Sequence, residues 1–253
     1  MGVINATPDS FSGDGIGGDV EAALALARRF VAEGADIIDV GGESTRPEAL
    51  PISAAEELRR VLPVVERLAE ELPVPISIDT YKAEVARHAI AAGAQMINDV
   101  WGLKRDPQIA MVASEEGVPL IIAQNQRDAP FRNLFPDIIT SLEHSIQAAL
   151  KLGVNWDNII IDPGIGFGKT LEQNLELLRR LGELRSLARP ILIGPSRKFM
   201  LRLPPEQRLE GTAAAVAIGI ANGADAVRVH DVAAVARVCR MSDAIVMRLR
   251  CQS

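Results

Sequence analysis

Cysteine is nearly absent from this sequence: only Cys239 and Cys251 occur, in no spacing that binds a metal. No disulfide framework is therefore expected, and the usage points to a reducing, cytoplasmic compartment. No run of 18 apolar residues exists and no charged-then-apolar leader precedes the first strand-like run, so neither a spanning helix nor a signal segment is expected. Basic excess is missing as well. A formal net charge of −6 leaves no field for wrapping nucleic acid, so any anion must be held by local groups. No low-complexity segment or linker breaks the 253 residues, 48% hydrophobic and 24% charged, and one domain spanning residues 1–253 is expected. Met1 already belongs to a strand-like run; because a barrel's first strand rarely begins at residue one, chain preceding Met1 is also expected.

What the sequence does have is one repeated unit: a short apolar run, a polar cluster, then an amphipathic helix. The strand-like runs are Gly2–Asn5, Asp36–Val40, Pro75–Asp79, Gln95–Asp99, Pro119–Ala123, Asn158–Asp162, Pro190–Gly194 and Ala226–His230. Helical stretches such as EAALALARRFVAEG, AAEELRRVLPVVERLAEEL, KAEVARHAIAAG and GTAAAVAIGIANG lie between them. Several close on a glycine suited to the left-handed position that ends a helix. Eight alternations in about 230 residues predict an α/β fold of the closed (β/α)8 TIM-barrel type, with an open doubly wound sheet as the alternative.

The stretch NIIIDPGIGFGKT, Asn158–Thr170, shows the unit at its sharpest. A nucleotide P-loop fails there on spacing, because Pro163 stands five residues before Gly168 and the nearest glycine comes one position late. What remains is a strand-end carboxylate, Asp162, beside flexible backbone. In a barrel the site lies at the C-terminal face, so the other strand ends are the residues to inspect. They are Asn5, the run Asp39–Pro47, Asp79 to Lys82, Asn98-Asp99, Gln124 to Arg127, Ser196-Arg197-Lys198 and Arg228 to Asp231. Any one of these alone reads as a cap or turn residue. All of them converging on one mouth read as an enzyme site.

Asp79, Asn98 and Asp162 supply carboxylate and amide groups, with no His/Cys cluster to make a metal cage. Carboxylates held at strand ends accept paired N–H donors from a flat heterocycle carrying an amino-amide edge, as guanine and pterin do. Lys198 adds a donor for a ring carbonyl or nitrogen, although a solvated loop lysine is an equal reading. Arg228 and His230 alternate along the expected strand and share a side. With Thr45 and Arg46 they form a cationic group suited to phosphate or pyrophosphate; His230 also reads as a buried structural histidine. The mouth thus divides into an acidic, ring-reading half and a basic, anion-holding half.

The segments MGVINATPDSFS, DVGGESTRP, ISIDTYKAEVA, INDVWG, IDPGIGFGKT, GPSRK and RVHDV resemble, in this order, the motifs of the dihydropteroate synthase family. The resemblance implies a TIM barrel that joins 6-hydroxymethyl-7,8-dihydropterin pyrophosphate to para-aminobenzoate in folate biosynthesis, as a homodimer requiring Mg²⁺. Carried onto matching positions, Asp79, Asn98, Asp162 and Lys198 would hold the pterin. Asn5, Thr45, Arg46, Arg228 and His230 would hold the pyrophosphate, with Asn5 near Mg²⁺. Phe11, Pro47, Phe167 and Ser196 would flank the aminobenzoate. Asp79, Asp162, Lys198 and Arg46 form the implied catalytic set.

Three positions depart from the family pattern. SFSDGG is here SFSGDG, which moves the loop acid from position 13 to Asp14; the strand-five histidine is replaced by Gln124; and Phe199 stands where the family has Ser. A corrinoid-dependent methyltransferase would share the ring-reading group but has no pyrophosphate to hold, which Ser196-Arg197-Lys198 and Arg228-Val229-His230 suit. A non-catalytic pterin-binding paralogue is the other alternative.

Overall fold

The computed structural model describes residues 1–7, 19–44, 49–126, 131–198 and 207–250, the last four by backbone alone. Among these residues eight strands alternate with eight α-helices: β1 Gly2–Asn5, α1 Val20–Glu33, β2 Ile38–Gly41, α2 Ala54–Glu71, β3 Ile76–Asp79, α3 Ala83–Ala91, β4 Met96–Asp99 and α4 Ile109–Glu116. Then follow β5 Leu120–Ala123, α5 Leu134–Lys151, β6 Ile159–Asp162, α6 Leu171–Arg179, β7 Leu192–Ile193, α7 Leu209–Ala221, β8 Ala226–Val227 and α8 Val232–Arg250.

Every strand pairing among the described residues is parallel. β1 to β6 lie side by side in chain order, and β7 pairs β8. Single bridges, Ile161 to Ile191 and Gly2 to Val229, join the two sheets at both edges. Backbone bonds secure the seams: Ile161 N donates to Pro190 O at 2.9 Å, Val3 N to Val229 O at 3.1 Å and Val229 N to Met1 O at 3.0 Å. Because β8 returns to β1, the sheet is a closed (β/α)8 barrel and not an open doubly wound one.

Side chains alternate along a strand, so each strand sends one set inward and the other toward the helices. The outward set joins the helices' apolar faces in the main core, which includes Ile38, Val40, Ile76, Ile78, Ile97, Leu120, Ile122, Ile159 and Ile161. The inward set starts apolar: Met96, Ile121 and Leu192 cluster with Met1, Ile37, Ile160 and Ala226. Two residues further along the same strands the inward positions are Asn98, Ala123, Gly194, Asp39, Asp162 and Arg228. A hydrocarbon plug therefore closes the lower barrel, and polar groups stand on top of it.

Strand bounds shift by a residue or two from the sequence expectation, and most at the seams. β7 and β8 are two residues each where five were expected. Pro190 and Pro195 have no N–H to give a ladder at either end of β7. After β8 the chain stays extended while Arg228 N bonds Ile193 O at 2.9 Å, then His230 N turns to Ser196 Oγ at 3.1 Å. Helix ends follow local chemistry: Asp19 and Ser53 cap α1 and α2, Thr170 and Gln173 form a reciprocal capping box on α6, and Gly34 ends α1 at φ 102°. Among the described residues no helix is long and apolar enough to cross a membrane.

Candidate active site

The three expected ring-reading residues stand together. Asp79 and Asn98 are register partners on β3 and β4, and Asp162 ends β6. All three are buried. Arg228 reaches across from the β8 side and forks between two acids, with Nε 2.5 Å from Asp39 Oδ2 and Nη2 2.6 Å from Asp79 Oδ2. Asn98 Nδ2 donates to the same Asp39 oxygen at 3.2 Å. The guanidinium that the sequence reading put in the anion-holding half thus pairs with Asp79, one of the acids expected to read the ring, and with Asp39.

Asp39 received no role in the sequence reading. It lies inside β2, two residues before its end, and is wholly buried, beneath Asp79 and one layer deeper in the barrel. Its Oδ1 and the hydroxyl of Ser77, its register neighbour, have no hydrogen-bond partner among the described residues.

Burial governs the charges here. It pushes the Asp79 carboxyl up to about 7, with Arg228 opposing and Asp39 reinforcing the shift. It raises Asp162 too, against the attraction of Lys198. Arg228 is held firmly protonated: burial opposes its charge, and Asp39 and Asp79 outweigh that.

The loop after β6 is built around glycine. Gly164, at φ 70°, donates its N–H to Asp162 Oδ1 at 2.7 Å, orienting the carboxylate. A Cβ at this position would lie 1.8 Å from Gln124 O, so the strand-five end and this loop touch backbone to backbone. Phe167 follows, with Lys198 Nζ 4.4 Å from its ring centroid. Lys198 also donates to Ile165 O and lies over Gly166.

The turn after β7 explains how Ser196 and Lys198 are presented. Arg197 between them has φ 55°, a left-handed conformation that a non-glycine residue adopts at a cost. Its side chain turns to Asp231, at 2.7 and 3.1 Å, and its carbonyl accepts from Arg208 Nη1 at 2.6 Å. Ser196 Oγ lies 2.9 Å from His230 Nδ1, linking two residues that the resemblance assigns to different ligands. Asn5 stands at the end of β1 in register with Gly41, half-buried. Phe11, Thr45, Arg46, Pro47, Asp14 and Phe199 lie outside the described residues.

A family model for pterin binding enzymes matches residues 1–230. The chain belongs to the pterin-binding enzymes. Dihydropteroate synthase of Bacillus subtilis is 49% identical to it over 249 residues, 97% of this chain and 87% of that protein. A solved dihydropteroate synthase from Clostridium difficile, determined in the presence of pteroic acid, matches with a TM-score of 0.92 at 47% identity, covering 97% of this chain and 95% of that one. The Xanthomonas albilineans dihydropteroate synthase with 4-aminobenzoic acid matches at 0.90 and 43% identity, over 97% of this chain and 92% of that one. The dihydropteroate synthase resemblance read from the motifs is thus borne out, and with it the barrel.

Another group in this pterin-binding enzyme escaped the sequence reading because its members come from three elements. Lys82 Nζ lies 2.5 Å from both Glu43 Oε2 and Glu57 Oε2, and Tyr81 Oη donates to Glu43 Oε1 at 3.1 Å. Glu43 Oε2 also accepts Ile52 N at 3.3 Å. That contact closes the base of the β2–α2 loop, which carries Thr45, Arg46 and Pro47. Among the described residues no three His, Cys, Asp or Glu gather to hold a metal ion.

Proposed function

We propose that this chain condenses 6-hydroxymethyl-7,8-dihydropterin pyrophosphate with para-aminobenzoate, giving 7,8-dihydropteroate and pyrophosphate, the dihydropteroate synthase step of folate biosynthesis. One cluster carries the reading: Asp79, Asn98 and Asp162 buried at three strand ends, with Arg228 held among the acids and Lys198 beside Asp162. In this assignment Asp79, Asn98 and Asp162 accept the pterin's N–H groups, and Lys198 exchanges Ile165 O for a ring acceptor. Arg228 and His230, with Asn5, Thr45 and Arg46, hold the pyrophosphate. Ser196 and Phe167, with Phe11 and Pro47, flank the aminobenzoate.

The reaction needs no covalent enzyme nucleophile. The bond between the pterin's methylene and the pyrophosphate oxygen breaks, the electron pair leaving with pyrophosphate; the arylamine nitrogen then bonds the methylene carbon and releases a proton. Arg228, Arg46 and His230 stabilise the departing negative charge, while Asp79 and Asp162 favour the cationic pterin left behind. Mg²⁺ fits this donor set. Asn5 offers one hard amide oxygen at the mouth, and Mg²⁺ takes most of its shell from water and substrate phosphates and not from an all-protein cage. Bound there, it would neutralise pyrophosphate charge.

We assign a homodimer to the face of α7 and α8, where Ile218, Met241 and Ile245 stand exposed. A cytoplasmic location is the one that suits the free, half-buried Cys239. Incubation of the purified protein with both substrates and Mg²⁺ tests the reading: dihydropteroate and pyrophosphate should appear in equal amounts. A protein that binds pterin but forms no dihydropteroate with para-aminobenzoate overturns it.

A further inference from the structure

The glycine-rich stretch that fails as a nucleotide loop ends in a lysine that the reading above leaves without a role. Lys169 Nζ donates to Gln124 Oε1 at 2.6 Å, to Gly164 O at 2.9 Å and to Phe167 O at 3.3 Å. An ammonium has three N–H donors, and here each meets one oxygen. The Phe131 ring, its centroid 4.9 Å away, lies against the same group.

We propose that Lys169 is a positioning residue for the pterin site, pinning the end of β5 to the loop after β6 and so fixing where Asp162 and Phe167 stand. The inference deepens the proposed function and rests on its assignment of Asp162 to the pterin.

The connections run through the backbone. Gly164 gives its carbonyl to Lys169 and its N–H to Asp162 Oδ1, so one peptide segment ties the ammonium to the ring-reading carboxylate. Phe167 gives its carbonyl to Lys169 while its ring carries Lys198. Buried Asn174 stiffens the same loop, accepting from Gly166 N at 2.7 Å and donating to Lys169 O at 3.2 Å. Gln124 supplies the fixed end. It stands where the resembled family has histidine, and its amide oxygen gives the ammonium an acceptor. Burial pushes the Lys169 ammonium down to about 7, against the attraction of Asp162, so the three oxygens hold this group by geometry in an enclosed setting. A neutral methionine of similar length would fill the space yet leave the oxygens of Gln124, Gly164 and Phe167 without this donor.

Calorimetric titration with a bare pterin, and KM for para-aminobenzoate at saturating donor, test the role in wild type, Lys169→Met and Gln124→Met. Lys169→Met should weaken pterin about tenfold or more and raise the aminobenzoate KM, since one ammonium holds both sides. Gln124→Met, which removes one acceptor of three, should move both in the same direction by about threefold, and it keeps the test alive if Lys169→Met does not fold. In an Asp162→Asn background the pterin loss from Lys169→Met should shrink, because the two residues act as a unit. Lowered melting temperatures with wild-type pterin affinity and KM would reduce Lys169 to a structural staple and overturn the proposal. An undiminished loss in the Asp162→Asn background would do the same. Failure of the wild type itself to bind pterin would instead sink the function on which the proposal rests.

Discussion

Protonation of Asp79 should make pterin binding fall in mildly acidic solution. Burial holds its carboxyl at about 7 in the ligand-free protein, and a ring donating N–H groups requires the carboxylate. Binding therefore releases a proton at any pH below that value, and affinity drops toward tenfold per pH unit. With the complex ionised throughout, the loss between about pH 7.5 and pH 5.5 is about 25-fold, close to 2 kcal/mol. The assay is titration calorimetry of a pterin whose own ring does not titrate in that window, repeated in buffers of different ionisation enthalpy to count the proton. Asp79→Asn should bind weakly at every pH and lose most of the slope. A flat wild-type profile would refute the reasoning, as would a slope that survives intact in Asp79→Asn, which would assign the proton to Asp162, also raised by burial.

Three other outcomes are expected. Arg228→Ala should weaken the pyrophosphate donor much more than a bare pterin, because it removes a cation for the anion while also clearing Asp79 of the guanidinium the ring must displace; equal losses for the two ligands by calorimetry would refute this. Gly164→Ala should cost about 3 kcal/mol or more, or abolish pterin binding, since its Cβ would fall 1.8 Å from Gln124 O at a φ of 70°; denaturant unfolding and pterin titration read this, and a wild-type result in both would contradict the packing. Lys169, pushed down to about 7 by burial, is harder to protonate folded than unfolded, so its penalty is complete below pH 7 and fades as pH rises toward the unfolded value of about 10.4. Urea unfolding at about pH 7.5 and pH 9 should show wild type gaining up to about 2 kcal/mol on Lys169→Met, and parallel stabilities would show that the ammonium is not destabilised.

The buried polar strand ends Asp79, Asn98 and Asp162 were legible because two periodicities meet at them. Alternation sends Asp79, Asn98 and Asp162 inward, and a polar residue after an apolar run marks the strand's mouth end. Asp39 was named among the strand ends but drew no specific role, because the sequence does not show that β2 runs on to Gly41 and leaves this acid wholly buried a layer below the mouth. That Arg228 pairs with Asp39 and Asp79 was not legible, because these partners are 189 and 149 residues away in sequence. Lys169 carried a recognisable signal, a glycine-lysine pair opening a helix, but the motif it suggested was the wrong one. Its real partners, a side-chain amide on β5 and two loop carbonyls, exist only once the barrel brings β5 and β6 together. The seams at β7 and β8 were overlong in the reading because apolar content does not reveal where prolines and a serine hydroxyl divert the ladder.

The fork of Arg228 across Asp39 and Asp79 means that the ligand-free mouth already contains an occupant. A pterin that takes Asp79 as proposed does not meet a bare carboxylate; it must displace a guanidinium at 2.6 Å, so binding is an exchange of partners and its free energy is a difference. A donor bearing pyrophosphate offers the displaced cation somewhere to go, whereas a bare ring does not. Affinity for the two parts of the donor should therefore exceed what the fragments suggest separately, and inhibitors that copy only the ring compete first with the protein's own arginine.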